Sequence, residues 1–556
     1  MKITANTTAG KSQKSPGWFY AALALFIIAA LCLLIFYGNR KAGFHEDEYY
    51  SYYSTNRSLG LYEPDGAWQD RQTVLDEFSV VSGEGFSYSR VREAQSWDVH
   101  PPFYYYLLHT VCSLTPGVFS KWQGLFLNML AFVLNAVLLA LTGRCFFRKL
   151  DLAAPFPEAG AVILTAFWCL NPAVISGVLF IRMYEWLTVF VLALCLLHLE
   201  LDFSRPVFSL RFLAGLFLIS FLGFMTQYFF VIYLFFTGLF TVLLCLFRKG
   251  LSPKQKLFCV LRYAITAAAA LVAGVLYYRA ALSHIFRGYR GEEAQESFFD
   301  LHNLTERLSY FGSLLNTGMF AGFLPVFLIL AALCLILSFL LKKKLTGSEK
   351  HSLLPVLYLL FTTAASFLTI AKTGLILGAS SCRYELMLYG LIVLCLLTPF
   401  ICLLSRLPDS AFCRTGAALL LAAFMLIDLA GLLQQNVLFL YPEEAQRVAY
   451  CREEAARGTP LVILYNPASP ENIWRHTDKI LCFDRAYYMD ITSDTTAEDP
   501  VLTGASSLLV LAADTDEKED PSDRILFKTG SASYIAKVWS KDMWTLYLVI
   551  RDPASD

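Results

Sequence analysis

The sequence predicts an α-helical protein that crosses a membrane many times. Three observations carry this prediction: long apolar stretches, a scarcity of charge, and basic residues in alternate connections. Of 556 residues, 56% are hydrophobic and only 16% are charged, whereas a soluble protein carries roughly a quarter charged residues. Basic and acidic residues are balanced at 45 each, so the net charge does not suggest a nucleic-acid partner and we expect none.

A helix of about 20 apolar residues spans the ~30 Å hydrocarbon core of a bilayer, and about eleven stretches meet this requirement. They cover residues 18–38, 121–143, 159–181, 184–201, 206–225, 227–247, 258–279, 320–341, 352–371, 385–405 and 415–436. The segment 101–115 is short for a span, so we expect a helix at the membrane surface there. The alternative is a twelfth span.

Lys and Arg residues follow every second predicted span, for example Arg144, Arg148 and Lys149 after the second. Because basic connections stay in the cytoplasm, this pattern predicts a multi-pass protein of the cell membrane with a cytoplasmic N-terminus. An odd number of spans then places the C-terminal region outside the cytoplasm.

Composition divides the chain into three parts. Residues 1–17 form the cytoplasmic N-terminus, and 18–440 form the transmembrane domain, which includes an extracytoplasmic loop at 39–120. The remainder, 441–556, has the composition of a soluble protein, and we predict a small extracytoplasmic α/β domain. Its expected elements are a helix at 443–457 and strands at 460–465, 507–513, 533–540 and 543–550.

Three consecutive carboxylates, Glu46, Asp47 and Glu48, follow the first predicted span closely. A carboxylate at the membrane surface can accept a proton from an attacking hydroxyl or amine. The alternative interpretation is the solvated start of an acidic loop.

A second motif runs from Asp98 through His100 into two prolines and three tyrosines. Proline is favoured in the first turn of a helix, so this motif predicts a helix start, which Asp98 could cap. His100 would then lie at the helix N-terminus, where the backbone N–H groups and the helix dipole favour a phosphate.

Several arginines lie at the predicted outer ends of spans, where basic residues are otherwise scarce. Arg182 precedes the fourth span and Arg383 precedes the tenth, and a guanidinium group matches phosphate oxygens in a bidentate manner. Arg279, Arg287 and Arg290 cluster in one outer loop and are further candidates for phosphate binding. The alternative for each is a side chain that extends towards lipid headgroups.

The order of these motifs resembles the GT-C glycosyltransferases. An Asp-Glu pair is followed by HPPFYYYLLH at 100–109, RMYEWL at 182–187, TQYFF at 226–230 and a late Arg-Tyr pair. Within that superfamily the chain is most similar to the family 39 group, which contains protein O-mannosyltransferases and aminoarabinose-lipid A transferases. The similarity is strongest over about residues 18–230.

This resemblance implies a GT-C fold and an inverting transfer of a sugar from a polyprenyl-phosphate-linked donor at the extracytoplasmic membrane surface. The acceptor would be a protein, a lipid or a cell-wall glycan. Asp47 matches the essential acid of the family and Glu48 its companion, so both are expected to be catalytic. His100 stands where aminoarabinose transferases have a phosphate-binding lysine, and the long loop between Asp47 and His100 suggests a different acceptor.

The resemblance implies no obligatory cofactor. A divalent metal is possible but not indicated, and membrane lipids are expected partners. The main alternative function is a transporter or flippase of a lipid-linked sugar. Such proteins usually show internal repeats and charges at the membrane midplane, whereas the charges here lie mainly in the predicted outer loops.

Overall fold

The computed structural model describes residues 16–57, 64–203, 208–287, 289–340, 347–407, 410–514, 521–530 and 532–551. Most of the predicted N-terminal segment 1–17 therefore lies outside the described residues. The helices are α1 (Gly17–Arg40), α2 (Glu46–Asn56), α3 (Arg71–Phe78), α4 (Tyr88–Ser96), α5 (Phe103–Ser113), α6 (Lys121–Lys149), α7 (Phe156–Leu170), α8 (Pro172–Leu179), α9 (Tyr184–Leu199), α10 (Leu210–Thr226), α11 (Phe230–Leu246), α12 (Pro253–Tyr277), α13 (Ala280–Phe286), α14 (Tyr289–Phe299), α15 (Leu304–Phe320), α16 (Leu324–Leu340), α17 (Gly347–Thr373), α18 (Tyr389–Leu404), α19 (Ser410–Leu433), α20 (Glu443–Ala456), α21 (Thr477–Ile480), α22 (Pro500–Thr503) and α23 (Pro521–Thr529).

Within the described ranges, six helical segments are long and apolar enough to cross a membrane. Two pairs of helices, α7 with α8 and α15 with α16, reach that length only together, and they bend by 55° and 85°. Three shorter apolar helices are α9, α10 and α11. Every stretch predicted as a span contains a helix of one of these kinds, while the count of eleven crossings stays a prediction.

The two bends have local causes. Pro172 opens α8 and lacks the N–H that would continue the helix from α7. Asn171 caps the new helix by accepting a hydrogen bond from the backbone N–H of Ala173 at 3.0 Å. Between α15 and α16, Ala321 and Gly322 adopt left-handed backbone angles, with φ of 50° and 92°, which end α15.

The segment 101–115 forms α5, a helix of 11 residues. At 1.5 Å per residue it is about 16 Å long, roughly half of a bilayer core. It packs against α2, α4, α6 and α10. This length favours the surface helix over the twelfth span, and the choice between them stays a prediction.

The C-terminal part contains a six-stranded sheet in the order β1-β3-β2-β4-β6-β5. The strands are β1 (Ala67–Asp70), β2 (Leu461–Tyr465), β3 (Arg485–Asp490), β4 (Ser507–Ala513), β5 (Tyr534–Lys541) and β6 (Trp544–Ile550). The central strand β2 pairs in parallel with β3 and β4, and all five of its residues are buried. This is typical of a strand that is covered on both faces. The predicted helix and four predicted strands match α20, β2, β4, β5 and β6.

The sequence did not predict β1 or β3. The strand β1 lies in the loop 39–120 and pairs antiparallel with β3, with Ala67 opposite Tyr488. The ring of Trp474, which follows β2, also stacks on Tyr53 of α2 at 4.1 Å. The loop therefore supplies an edge strand to the C-terminal sheet, and the proposed division at 440/441 stays a prediction.

Candidate active site

The three acidic residues lie in the first turn of α2. His45 caps this helix: its Nδ1 accepts a hydrogen bond from the backbone N–H of Asp47 at 3.1 Å. The Glu48 carboxylate reaches back to accept the backbone N–H of His45 at 2.6 Å. This reciprocal capping fixes where α2 starts. The partial positive charge of the helix N-terminus also favours the carboxylates there.

Glu48 is completely buried and its carboxylate is held by several donors. Its Oε2 lies 2.9 Å from Lys41 Nζ, which is equally buried, and its Oε1 accepts the backbone N–H of Ile181 at 2.8 Å. Burial raises the pKa of Glu48, and the Lys41 cation opposes that shift. These contacts join the end of α1, the start of α2 and the segment before α9. These contacts support a positioning role for Glu48. Its expected catalytic role stays a prediction.

Asp47 has a different environment. Its Oδ2 accepts a hydrogen bond from Arg383 Nη1 at 2.6 Å, and its side chain remains 29% exposed. Its backbone carbonyl accepts from Arg182 Nη1 at 3.2 Å. Burial raises the pKa of Asp47, but the charges of Arg182 and Arg383 outweigh burial and hold this pKa well below its usual range. Asp47 is therefore an ionised carboxylate that a ligand can reach.

Arg182 is fixed by hydrogen bonds from its Nη1 to Ser51 Oγ at 3.2 Å and to Tyr105 Oη at 3.1 Å. Tyr105 belongs to α5, so the motif that begins at His100 helps to place this arginine. Arg383 lies between two aromatic rings, 5.4 Å from the centroid of Phe180 and 5.2 Å from that of Tyr384. Such rings stabilise a guanidinium cation.

Both guanidinium groups retain unused donors. Among the described residues, the buried Nε–H groups of Arg182 and Arg383 have no hydrogen-bond partner. An unsatisfied buried donor costs about 1–3 kcal/mol, and more in a charged group. An anion that binds near these arginines would relieve part of that cost after a small rotation of the side chains.

Asp47, His100, Arg182 and Arg383 line one cavity of about 520 Å³. The sequence analysis predicted all four as site residues, and the structure brings them together. Much of the remaining lining is apolar. These apolar residues are Val99, Phe229, Ile232, Ile285, Phe286, Phe298, Phe299 and Leu375.

Two members of the outer arginine cluster, Arg279 and Arg287, are not among the described residues that line this cavity. Arg279 and Arg287 flank the short helix α13, and their side chains are exposed. The helix instead presents His284 and its two following residues to the cavity. The side chain of Arg290 lies outside the described part of the chain. The predicted phosphate contacts of Arg279 and Arg287 therefore have no geometric support.

Several lining residues were missed by sequence reasoning. Gln227 and Tyr228 lie at the break between α10 and α11, and Tyr184, His284 and Tyr384 also face the cavity. The motif TQYFF at 226–230 could have indicated Gln227 and Tyr228, because polar residues there interrupt an otherwise uncharged apolar run. His284 lies between Arg279 and Arg287 in the sequence, and only the arginines of that loop were considered as candidates.

One group of residues could hold a metal ion. His45, Glu46 and Asp47 each offer a ligand atom, and these atoms lie within 4.8 Å of one another. Burial lowers the pKa of His45 to about 4, so its ring is neutral. Both carboxylates are already paired, because Glu46 lies 2.7 Å from Arg475 and Asp47 contacts Arg383. The three side chains are of types that bind metal ions. A metal could bind here only if it displaced Arg475 and Arg383, so the present ion pairs do not fit a metal site.

No protein-family model and no curated relative matches the sequence. A search of solved structures finds ArnT from Cupriavidus metallidurans bound to undecaprenyl phosphate, with 11% identity and a TM-score of 0.50 over 95% of this chain and 98% of that chain. The apo state of the same protein gives 11% identity and a TM-score of 0.47 with the same coverage. An Archaeoglobus fulgidus oligosaccharyltransferase gives 13% identity and a TM-score of 0.38 over 84% of this chain and 63% of that chain. The first match shows that the chain shares the overall fold of that structure, in agreement with the GT-C type of membrane fold that the order of its motifs predicts.

Proposed function

We propose that this protein is a membrane glycosyltransferase that moves a sugar from a polyprenyl-phosphate-linked donor to an extracytoplasmic acceptor, with inversion at the anomeric carbon. The observation that carries the proposal is the meeting of Asp47 with Arg182 and Arg383 in one cavity. These residues are distant in the sequence, and the cavity combines a reachable carboxylate with buried cations. A transferase is favoured over a flippase because sugar transfer requires both a base for the acceptor and fixed cations for the leaving phosphate, and this cavity offers both.

The two arginines are suited to the donor phosphate. When the anomeric C–O bond breaks, its electron pair passes to a phosphate oxygen, and fixed cations stabilise the developing charge. Arg182 and Arg383 are held by their own hydrogen bonds and ring contacts, so they need little reorganisation during the reaction. His100 lines the same cavity and is a third candidate for a phosphate contact.

The apolar part of the cavity is suited to the prenyl chain. Phe229, Ile232 and Leu375 belong to or adjoin apolar helices, and Phe298 and Phe299 lie at the end of α14. A lipid donor can enter such a lining from the bilayer without exposing its chain to water. The related ArnT fold was solved with undecaprenyl phosphate bound, which is a ligand of this chemical class.

Asp47 would act as the general base. The acceptor hydroxyl or amine attacks the anomeric carbon on the face opposite the phosphate, and its proton passes to the Asp47 carboxylate. The low pKa of Asp47 in the free protein makes it a weak base. A bound phosphate would share Arg383 and reduce the field of that cation at Asp47, so donor binding itself would raise the pKa of the base.

The test is Asp47→Asn in the full chain reconstituted with a polyprenyl-phosphate-linked sugar. Base catalysis contributes typically about 10²–10⁴-fold to the rate, so transfer should fall by that factor while binding of undecaprenyl phosphate is retained. Asp76→Asn is the matched control, because Asp76 makes an exposed hydrogen bond to Gln72 in the same loop. If the Asp47 variant keeps normal transfer, the proposed base is wrong.

We also propose that the loop 39–120 and residues 441–556 lie outside the cytoplasm. The pairing of β1 with β3 supports a location of both parts on the same side of the membrane. The alternating basic connections predict that this is the extracytoplasmic side. An impermeant thiol reagent applied to intact cells should label Glu93→Cys and Asp494→Cys, two exposed positions, above the background of the native protein. Labelling only after membrane permeabilisation would refute the orientation.

A further inference from the structure

A second polar pair lines the same cavity, away from the residues assigned to phosphate and proton transfer. Tyr228 lies at the start of the turn between α10 and α11, and His284 lies on α13. Tyr228 Oη is 3.2 Å from His284 Nδ1. His284 Nε2 in turn lies 3.4 Å from the backbone carbonyl oxygen of Ser96. The proposed reaction assigns no role to this pair.

The direction of these hydrogen bonds follows from the carbonyl. Because the Ser96 oxygen can only accept, the proton of the neutral ring resides on His284 Nε2. Burial lowers the pKa of His284, which favours the neutral ring. Nδ1 is then an acceptor, so the Tyr228 hydroxyl donates its proton to it. The Tyr228 oxygen is left with lone pairs that can accept a hydrogen bond from a ligand.

The neighbouring ring of Tyr278 supports this arrangement. Its centroid lies 5.8 Å from that of His284, and its hydroxyl lies 3.4 Å from the backbone carbonyl of His100. The pair is thereby tied to the segment that carries His100. Tyr228 and His284 therefore lie in the same cavity as the proposed phosphate ligands.

We propose that a hydroxyl group of the donor sugar donates a hydrogen bond to Tyr228, which His284 holds in its accepting orientation. This inference rests on the proposed function and assigns a site for the sugar of the donor. It makes Tyr228 a specificity-determining residue and His284 a positioning residue.

The first experiment measures what the sugar adds to binding. The purified full chain is titrated with the glucose and mannose derivatives of undecaprenyl phosphate, called the neutral donors, and with the methyl diester of undecaprenyl phosphate, which carries the same single charge but no sugar. At least one neutral donor should bind more tightly than the methyl diester, because its sugar adds a hydrogen bond to Tyr228. No gain from either sugar would overturn the inference.

The second experiment uses Tyr228→Phe, which removes the oxygen and keeps the ring. It should weaken binding of the preferred neutral donor by about 5–10-fold and leave undecaprenyl phosphate binding unchanged. His284→Ala should weaken the same donor, because Tyr228 then loses its fixed orientation. Tyr106→Phe is the matched control, since that hydroxyl pairs with Tyr277 outside the described lining.

The outcomes separate this inference from the function on which it rests. If Tyr228→Phe weakens undecaprenyl phosphate as much as the neutral donor, the pair does not recognise the sugar and the inference fails, while the proposed function stands. If undecaprenyl phosphate binds the native chain and the double variant Arg182→Gln/Arg383→Gln equally, the proposed phosphate site fails as well.

Discussion

Asp47 and Glu48 are neighbours in one helical turn, yet they lie in opposite environments. Glu48 is fully buried, and its two oxygens receive hydrogen bonds from Lys41 and from the backbone of His45 and Ile181. Asp47 is partly exposed in a cavity, and its strongest contact is Arg383. The first carboxylate is satisfied by the protein alone, whereas the second shares its cations with whatever enters the cavity.

This difference shows how one short acidic segment can serve both folding and chemistry. A buried pair such as Lys41–Glu48 holds the end of α1 against the start of α2, and its breakage leaves an uncompensated charge. The cavity around Asp47 keeps buried donors unused on Arg182 and Arg383, which lowers stability but leaves capacity for a ligand. Variants that change only the surroundings of Glu48, or only those of Asp47, therefore test whether Glu48 supports the structure and Asp47 takes part in the reaction.

The largest effect on stability is expected from Lys41→Met. It leaves Glu48 buried without its cation, and loss of one partner of a buried ion pair typically costs about 3–5 kcal/mol of unfolding free energy. The double variant Lys41→Met/Glu48→Gln should recover a large part of that loss, because neither charge remains. Thermal unfolding in detergent measures the stability of the single and the double variant. A melting temperature of Lys41→Met equal to that of the native protein would contradict the positional role of Glu48.

The contrast also shows what the sequence could reveal. Apolar runs predict the membrane helices because the bilayer requires about 20 apolar residues per crossing. Arg182 and Arg383 were predicted as site residues because cations are rare at the outer ends of spans. Glu48 and Asp47 could not be told apart, since the direction of each side chain depends on the packing of α1, α2 and the segment before α9.

Other features depended on contacts that no local pattern contains. The strand β1 has only four residues and becomes a strand by pairing with β3, which lies more than 400 residues later in the chain. Arg279 and Arg287 matched the expected charge and loop, but they flank a seven-residue helix of which the last three residues, 284–286, line the cavity. Residue type therefore predicted candidates, and only tertiary packing selected among them.

The next largest effect is expected in the pH dependence of transfer, which depends on the cations around Asp47. Arg182 and Arg383 hold the pKa of Asp47 well below its usual range against the effect of burial, and His45 and His100 add smaller contributions in the same direction. Arg383→Gln removes one cation and should raise this pKa. Asp47 then becomes protonated at a higher pH, so the acid limb of kcat/KM should move to higher pH than in the native protein.

Arg383→Lys is the matched control for that experiment. Lysine keeps the positive charge but loses the planar fork, so the pH profile should stay close to that of the native protein. The affinity for undecaprenyl phosphate should fall by about 10–100-fold in both variants. Identical pH profiles for Gln and Lys would show that the Arg383 charge does not control Asp47.

The smallest effect is expected at the contact between α2 and the C-terminal sheet region. Arg475 Nη2 lies 2.7 Å from Glu46 Oε2, and these side chains are 24% and 44% exposed. Exposed ion pairs contribute about 0–1 kcal/mol. Arg475→Ala should therefore lower the unfolding free energy by less than ~1 kcal/mol. It should also leave transfer within a few-fold of the native rate, because Glu48 and Ser51 still fix the start of α2 from the membrane side.

A double-mutant cycle with Glu46→Gln isolates the pair from other effects of Arg475, which also lies 3.4 Å from the backbone carbonyl of Asp542. The coupling between the two substitutions should stay below ~1 kcal/mol in stability. Trp474→Ala is expected to cost more, since its ring stacks on Tyr53 and aromatic pairs contribute about 0.5–1.5 kcal/mol beyond their buried area. If Arg475→Ala instead reduces transfer as strongly as Asp47→Asn while the protein stays folded, Arg475 belongs with Asp47 in the reacting cavity and not with Glu48 in the supporting structure.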